Sequence, residues 1–253
     1  MDPSTLPDPP PILVHRAVPP LERLAAAVEV LLCSGYPTQL AILVVMTAFG
    51  MKPMTDGRLS APFVFTLTLA DTVLLLGLIF LFLLAHRESP AALFLGTRRP
   101  SREALVGVLL IPVSFLVIVA VLALVQALAP GLRNVPHNPL QDLMRTRFDA
   151  AAFALVVMIA GGVREELQRA FVLHRFEQSL GGAAVGLVLF SLAFGLGHIE
   201  QGFDVAIATS GLGFFWGVVF LRRRSAVAPM VCHAGFNLAQ IGKFLIVSRW
   251  AQF

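Results

Sequence analysis

The sequence predicts an all-α membrane protein, a polytopic bundle of about seven transmembrane helices. Two observations carry this. Of 253 residues, 57% are hydrophobic and 13% are charged. Soluble domains carry roughly 25% charge and need that polar surface. The apolar residues also come in long runs in series, and in lipid only helices satisfy the backbone of such runs. Disorder, collagen-like repeats and disulfide scaffolds are excluded by the same composition.

Residues 1–21 come first. Their prolines (Pro3, Pro7, Pro9, Pro10, Pro11, Pro19 and Pro20) predict an extended, disordered arm. No basic stretch leads straight into an apolar one, so a cleaved signal peptide is not indicated. Residues 22–147 read as N-terminal transmembrane helices plus an interfacial segment. Leu24 to Met51 contains one charge, Glu29, and is interrupted at Ser34-Gly35-Tyr36-Pro37. Ala61 to Ala85 contains only Asp71, which has no evident partner and reads as a packing or hydrogen-bonding residue. Ala104 to Leu128 is free of charge, with Pro112 as an expected kink. Asn138 to Phe148 reads as an interfacial amphipathic helix.

Residues 148–247 form the expected catalytic core, within one structural domain with the preceding helices. Ala150 to Phe176 carries six charged or ionisable side chains: Arg164, Glu165, Glu166, Arg169, His174 and Arg175. Gly182 to Ile199 ends in His198, Phe203 to Leu221 opens near Asp204, and Ala226 to Val247 holds His233, Asn237 and Lys243. Trp216 and Trp250 fit helix packing or an interface.

Lysine and arginine total 19 against 15 acidic residues. In a membrane chain this excess sets topology and does not call for nucleic acid. Seven spans put Arg16, Arg23, Arg87, Arg98, Arg99, Arg102, Arg175, Arg222, Arg223 and Arg224 on one side. Lys52, Arg58, Arg133, Arg145, Arg147 and Arg249 fall on the other. Ten against six predicts an integral membrane protein with its N-terminus inside and its C-terminus outside. His174, Arg175 and the Arg222–Arg224 run read as anchors at the inner face. Cys33 and Cys232 lie in apolar runs and read as buried thiols.

The anomaly is the fourth run. A charge at the centre of a span costs roughly 2.5 to 3.5 kcal/mol by insertion scales. Here Arg164, Glu165, Glu166 and Arg169 fall within six positions. Ala150 to Gly162 is too short to span alone, so the cluster is expected inside protein at membrane depth. Glu165 and Arg169 are four apart, which predicts an ion pair on one helix face. A carboxylate so held is a candidate general base.

Two later runs supply partners. Glu165 lies as far before Gly181 as His198 lies after Gly182, so a hairpin turning at these glycines sets both at one depth. His233 and Asn237 are four apart on one face, and Ala234 and Gly235 permit close helix approach. One or two carboxylates, two imidazoles and an amide suit hydrolysis. Glu165 and one histidine would hold and deprotonate water, while the other histidine and the asparagine would bind the oxyanion. Glu165, His198 and His233 are also a zinc-ligand combination, so a divalent metal is the alternative chemistry. No His-Glu-x-x-His or Gly-x-Ser-x-Gly is present, and an activated water is preferred to a covalent nucleophile.

At these residues the chain resembles the CAAX protease and bacteriocin-processing family, which includes the type II CAAX prenyl endopeptidases and the Abi proteins. The family pattern is Glu-Glu-x-x-x-Arg, then Phe-x-x-x-His, then His-x-x-x-Asn or Asp. Phe194–His198 and His233–Asn237 match the second and third motifs. In the first, Glu165 and Glu166 are followed by Arg169 one position early, and Glu165 takes part under either alignment. The resemblance, over roughly 148–247, implies an all-helical intramembrane endopeptidase. Glu165, helped by Glu166 and oriented by Arg169, would be the base. His198 would share the water, and His233 and Asn237 would bind the oxyanion. It implies a peptide or protein substrate, free or membrane-anchored, no nucleic acid, contact with lipid, and a place in the bacterial cytoplasmic membrane. A non-proteolytic scaffold or immunity factor of the same fold is the alternative. A small transporter ranks lower, because the polar residues cluster in the last three runs.

Overall fold

A computed structural model describes residues 18–250, with side chains through residue 247. Arg16, most of the proline-rich arm, and the side chains of Arg249 and Trp250 lie outside the described residues. The helix bundle is all-α apart from one two-stranded hairpin. Helix α1 (Pro20–Leu32) opens on a proline at its first position, where no intrahelical N–H is lost. Pro20 and Leu21, expected in the arm, are therefore helical.

Gly35 then adopts φ +89° and turns the chain into α2 (Tyr36–Ala48), at 45° to α1. A left-handed residue is cheap only for glycine, so the predicted interruption falls at this position. Strands β1 (Met54–Thr55) and β2 (Arg58–Leu59) pair antiparallel around Asp56-Gly57, a strong hairpin signal. Helix α3 (Ala61–Ala85) follows the predicted run residue for residue. After the short α4 (Pro90–Phe94), α5 (Pro100–Leu128) runs unbroken through Pro112.

The segment read as an interfacial amphipathic helix is instead a 3-10 turn, Pro139–Leu143, capped by Asn138. Leu143 is buried against Phe153 and Ile241. Thr146 and Asp149 form a capping box that starts α6 (Arg147–Val157), so two helix signals compete within that stretch and the second wins. A π-helical segment, Met158–Arg164, joins α6 to α7 (Glu165–Ser179). Helices α8 (Ala183–Leu196), α9 (Phe203–Arg223) and α10 (Val227–Trp250) complete the chain.

The expected seven spans are not reached. Among the described residues, α3, α5, α9 and α10 are long and apolar enough to cross a membrane, and the bent α1–α2 pair makes a fifth. Helix α8 has 14 residues, about 21 Å against a hydrocarbon core of about 30 Å. The α6–π–α7 rod carries the charge cluster. Only 6% of the apolar window of α5 is buried, so the rest of that window requires lipid.

The core lies between the two halves. Leu75, Ile79 and Leu83 of α3 pack with Phe171 and Leu173 of α7, Phe190 of α8 and Phe220 of α9. Polar ties cross the same seam. Gln168 donates to the Cys33 carbonyl at 2.8 Å, and Arg175 pairs with Glu29 at 2.6 Å. The first helices thus wall and anchor the rod that carries the charge cluster.

Candidate active site

The π-helical segment sets the geometry. Its Gly161 and Gly162 face α10 so closely that a Cβ on Gly161 would lie 2.6 Å from Asn237 Nδ2. One on Gly162 would lie 2.7 Å from Ala234 Cβ. The small residues on both helices therefore let the His233–Asn237 face of α10 press against the rod. Single-turn π segments recur at functional sites because the extra residue re-aims the side chains that follow. Here those are Arg164, Glu165 and Glu166.

Glu166 points inward and is 1% exposed. It accepts from Arg169 Nε at 3.2 Å and from His233 Nδ1 at 2.9 Å. The expected Glu165–Arg169 pair is thus replaced by Glu166–Arg169. On a helix i+3 and i+4 share a face, so an arginine placed one position early still meets the second glutamate. Its guanidinium is cradled by rings, 4.8 Å from the Phe194 centroid and 5.5 Å from that of Phe190. Aromatic faces stabilise a cation desolvated in this way.

His233 is held on two sides. Trp216 stacks on it at 3.8 Å and 17°, and Glu166 accepts a hydrogen bond from its Nδ1. Its Nε2 is left facing Glu165 Oε2 at 3.9 Å. The other Glu165 oxygen lies 3.8 Å from Arg164 Nη2. Arg164 also meets Asp71 Oδ2 at 3.4 Å and donates to Gln168 at 3.3 Å. Asp71, read as a packing or hydrogen-bonding residue, is completely buried and accepts from Thr38 Oγ1 at 2.5 Å and from Gln39 at 3.4 Å. Its partner could not be read from the sequence because Arg164 lies in another helix, far along the chain.

Glu165 and His198 line one cavity of about 90 Å³. Its walls are Ser34, Gly35, Tyr36 and Gln39 at the α1–α2 break, Arg164 and Gln168 on the rod, and Phe190, Ala193, Phe194 and Gly197 on α8. Tyr36 Oη donates to the Ala193 carbonyl at 2.6 Å and fastens the break to α8. His198 Nδ1 bonds the Phe194 carbonyl at 2.8 Å. A carbonyl only accepts, so Nδ1 carries the proton and the neutral ring presents Nε2 as an acceptor. A water fits this space and these partners.

The six residues predicted for the site thus fall in two groups. Glu165 and His198 line the cavity. Glu166, Arg169, His233 and Asn237 pack around the rod, and the 3.9 Å approach of His233 to Glu165 links the groups. Sequence reading singled out Arg164 and Asp71 without giving them a site role, and it missed Tyr36 and the π segment. The Gly161-Gly162 pair inside an apolar run was the available signal for the last of these. Among the described residues, no three His, Cys, Asp or Glu side chains are placed to hold a metal ion together. The zinc set Glu165, His198 and His233 is not assembled in this arrangement.

Residues 147–239 match the Rce1-like family, described as type II CAAX prenyl endopeptidase Rce1-like. This stretch, 93 of the 253 residues, is similar to that family. It runs from the first residue of α6 to two residues past Asn237, so it contains every residue predicted for the site. That description names an endopeptidase, a hydrolase of peptide bonds, for the family. The apolar helices fit an integral membrane protein in contact with lipid. No curated protein and no solved structure matches the chain.

Proposed function

We propose that the protein is an intramembrane endopeptidase in which Glu165 is the general base for a water held between Glu165 and His198 Nε2. The observation that carries this reading is the cavity shared by these two side chains. Glu165 takes a proton from the water, and the hydroxide adds to the scissile carbonyl. Glu165 then passes the proton to the leaving amine, so one water is consumed and a carboxylate and an amine result. Glu166 does not line the cavity and is engaged by Arg169 and His233. Its role is to position His233. Asn237 and His233, on the Gly161 side of the rod, are the donors assigned to the oxyanion; with its Nδ1–H given to Glu166, His233 donates from Nε2 only as the imidazolium. The substrate is a membrane-anchored peptide or protein, and the protein sits in the bacterial cytoplasmic membrane with its N-terminus on the inner side.

The test is cleavage of a lipid-anchored peptide by purified protein in proteoliposomes. Glu165→Gln and His198→Ala are expected to abolish hydrolysis while the proteins still accumulate and melt cooperatively. Substantial activity in both would sink the assignment. Rescue of a cellular phenotype by His198→Ala would favour the non-proteolytic scaffold.

A further inference from the structure

Glu165 has two nitrogen-bearing side chains within 4 Å, one on each oxygen. Oε2 faces His233 Nε2 at 3.9 Å, and Oε1 faces Arg164 Nη2 at 3.8 Å. Each neighbour is held from behind by another buried carboxylate. Glu166, 1% exposed, fixes His233 at 2.9 Å. Asp71, 0% exposed, fixes Arg164 at 3.4 Å. The two buried carboxylates sit in different parts of the chain. Glu166 and His233 lie within residues 147–239, whereas Asp71 sits on α3, outside the matched region.

We propose that Asp71 and Arg164 are a positioning pair for Glu165, so that helix α3 takes part in the reaction without touching substrate. This rests on the reading of Glu165 as the base. A buried carboxylate inside a span is costly unless it is paired and hydrogen-bonded. Asp71 meets both conditions, with Thr38 on one oxygen and Arg164 and Gln39 on the other. Packing alone would be served better by an apolar residue of that size. Arg164 is anchored a second time, since Nη1 donates to Gln168, which donates in turn to the Cys33 carbonyl. The guanidinium is therefore fixed at two points, and the loose 3.8 Å contact to Glu165 is the one left free to adjust. A cation fixed in this way directs the carboxylate into the cavity, between the α1–α2 break and α8.

The experiment is steady-state cleavage of a lipid-anchored peptide in proteoliposomes, with thermal unfolding followed alongside. Arg164→Gln is expected to lower kcat by roughly 10- to 100-fold with KM within about threefold of wild type, since positioning acts on the transition state. Asp71→Asn is expected to do the same to a smaller degree. The double variant is expected to be no worse than Arg164→Gln, because the two residues act through one contact. Arg164→Lys is expected to recover part of kcat. Losses that multiply in the double variant, or a raised KM with kcat retained, would overturn the pair. If Asp71→Asn does not accumulate, Arg164→Gln against Arg164→Lys decides, and no recovery of kcat by lysine overturns the proposal. Full activity in Glu165→Gln would overturn the assignment of the base itself. An inactive Glu165→Gln beside unaffected Asp71 and Arg164 variants would overturn this proposal alone.

Discussion

Adding one methyl group at Gly162 should separate activity from stability. A Cβ there would lie 2.7 Å from Ala234 Cβ and 3.3 Å from Ala234 Cα. Carbon atoms in contact sit about 3.5–4.0 Å apart, so α10 must retreat by about 1 Å. Rotating a side chain cannot relieve the clash, because both opposing atoms are fixed to the backbone. Overpacking of this kind costs about 1–3 kcal/mol. Replacing glycine by alanine in a helix returns up to about 1 kcal/mol. The net loss of stability is then about 0–3 kcal/mol. His233 adjoins Ala234 and moves with it, so its 2.9 Å bond to Glu166 and its 3.9 Å approach to Glu165 both lengthen. A misplacement of about 1 Å can cost about 100-fold in rate. Gly161→Ala tests the same face more gently. Its Cβ would meet the turnable Asn237 amide at 2.6 Å, so the melting temperature should hold while hydrolysis falls. Gly77→Ala on α3, with nothing within 4 Å, is the control and should be neutral or slightly stabilising. The assay is peptide cleavage in proteoliposomes beside thermal unfolding in detergent. Activity of Gly162→Ala within about threefold of wild type would refute the view that close approach of α10 sets the site.

Two further outcomes concern stability. Burial would raise the Glu88 carboxyl, but hydrogen bonds from Gln178, Arg175 and His174 outweigh it and hold the group below its ordinary 4.5. A depressed carboxylate stabilises the fold fully above its unfolded value, and that stabilisation is lost as pH falls toward the folded one. The melting temperature should therefore drop on acidification below about 4.5, and Glu88→Gln should flatten this fall; an unchanged pH dependence in the variant would disprove the linkage. At the base of α5, Glu103 is fully buried and held by Arg223 through bonds of 2.9 and 2.6 Å. Arg223→Ala strands that carboxylate and should cost about 3–5 kcal/mol, read as a lower melting temperature. Glu103→Gln/Arg223→Ala should recover part of the loss, and no recovery would mean the arginine stabilises by packing alone.

Much of the helix order was legible because lipid leaves the backbone few choices. Helix α3 could be read to its end residues because its borders are polar on both sides. The interruption at Gly35 was legible because serine, glycine and proline meet there. The span count was not. The apolar run from Gly182 to Ile199 is longer than the helix inside it, since α8 stops at Leu196 and a 3-10 turn, Ile199–Gln201, follows. At the site, equal spacing about Gly181-Gly182 placed Glu165 and His198 together, as both line one cavity. The partner of Arg169 was misassigned because two glutamates in a row lie within reach and side-chain direction separates them. Asp71 could not be matched to Arg164, because pairing across 93 positions depends on how the helices pack.

The brevity of α8 bears on how a hydrolase under lipid obtains its water. The helix ends about 9 Å short of the thickness of an ordinary hydrocarbon layer. At that end the Asn138 amide donates to Gln201, and Glu200 is exposed. Polar groups are costly among acyl chains. Glu200 and Gln201 follow His198 by two and three residues, so the short helix brings polar groups nearer to the proposed nucleophile than a full span would.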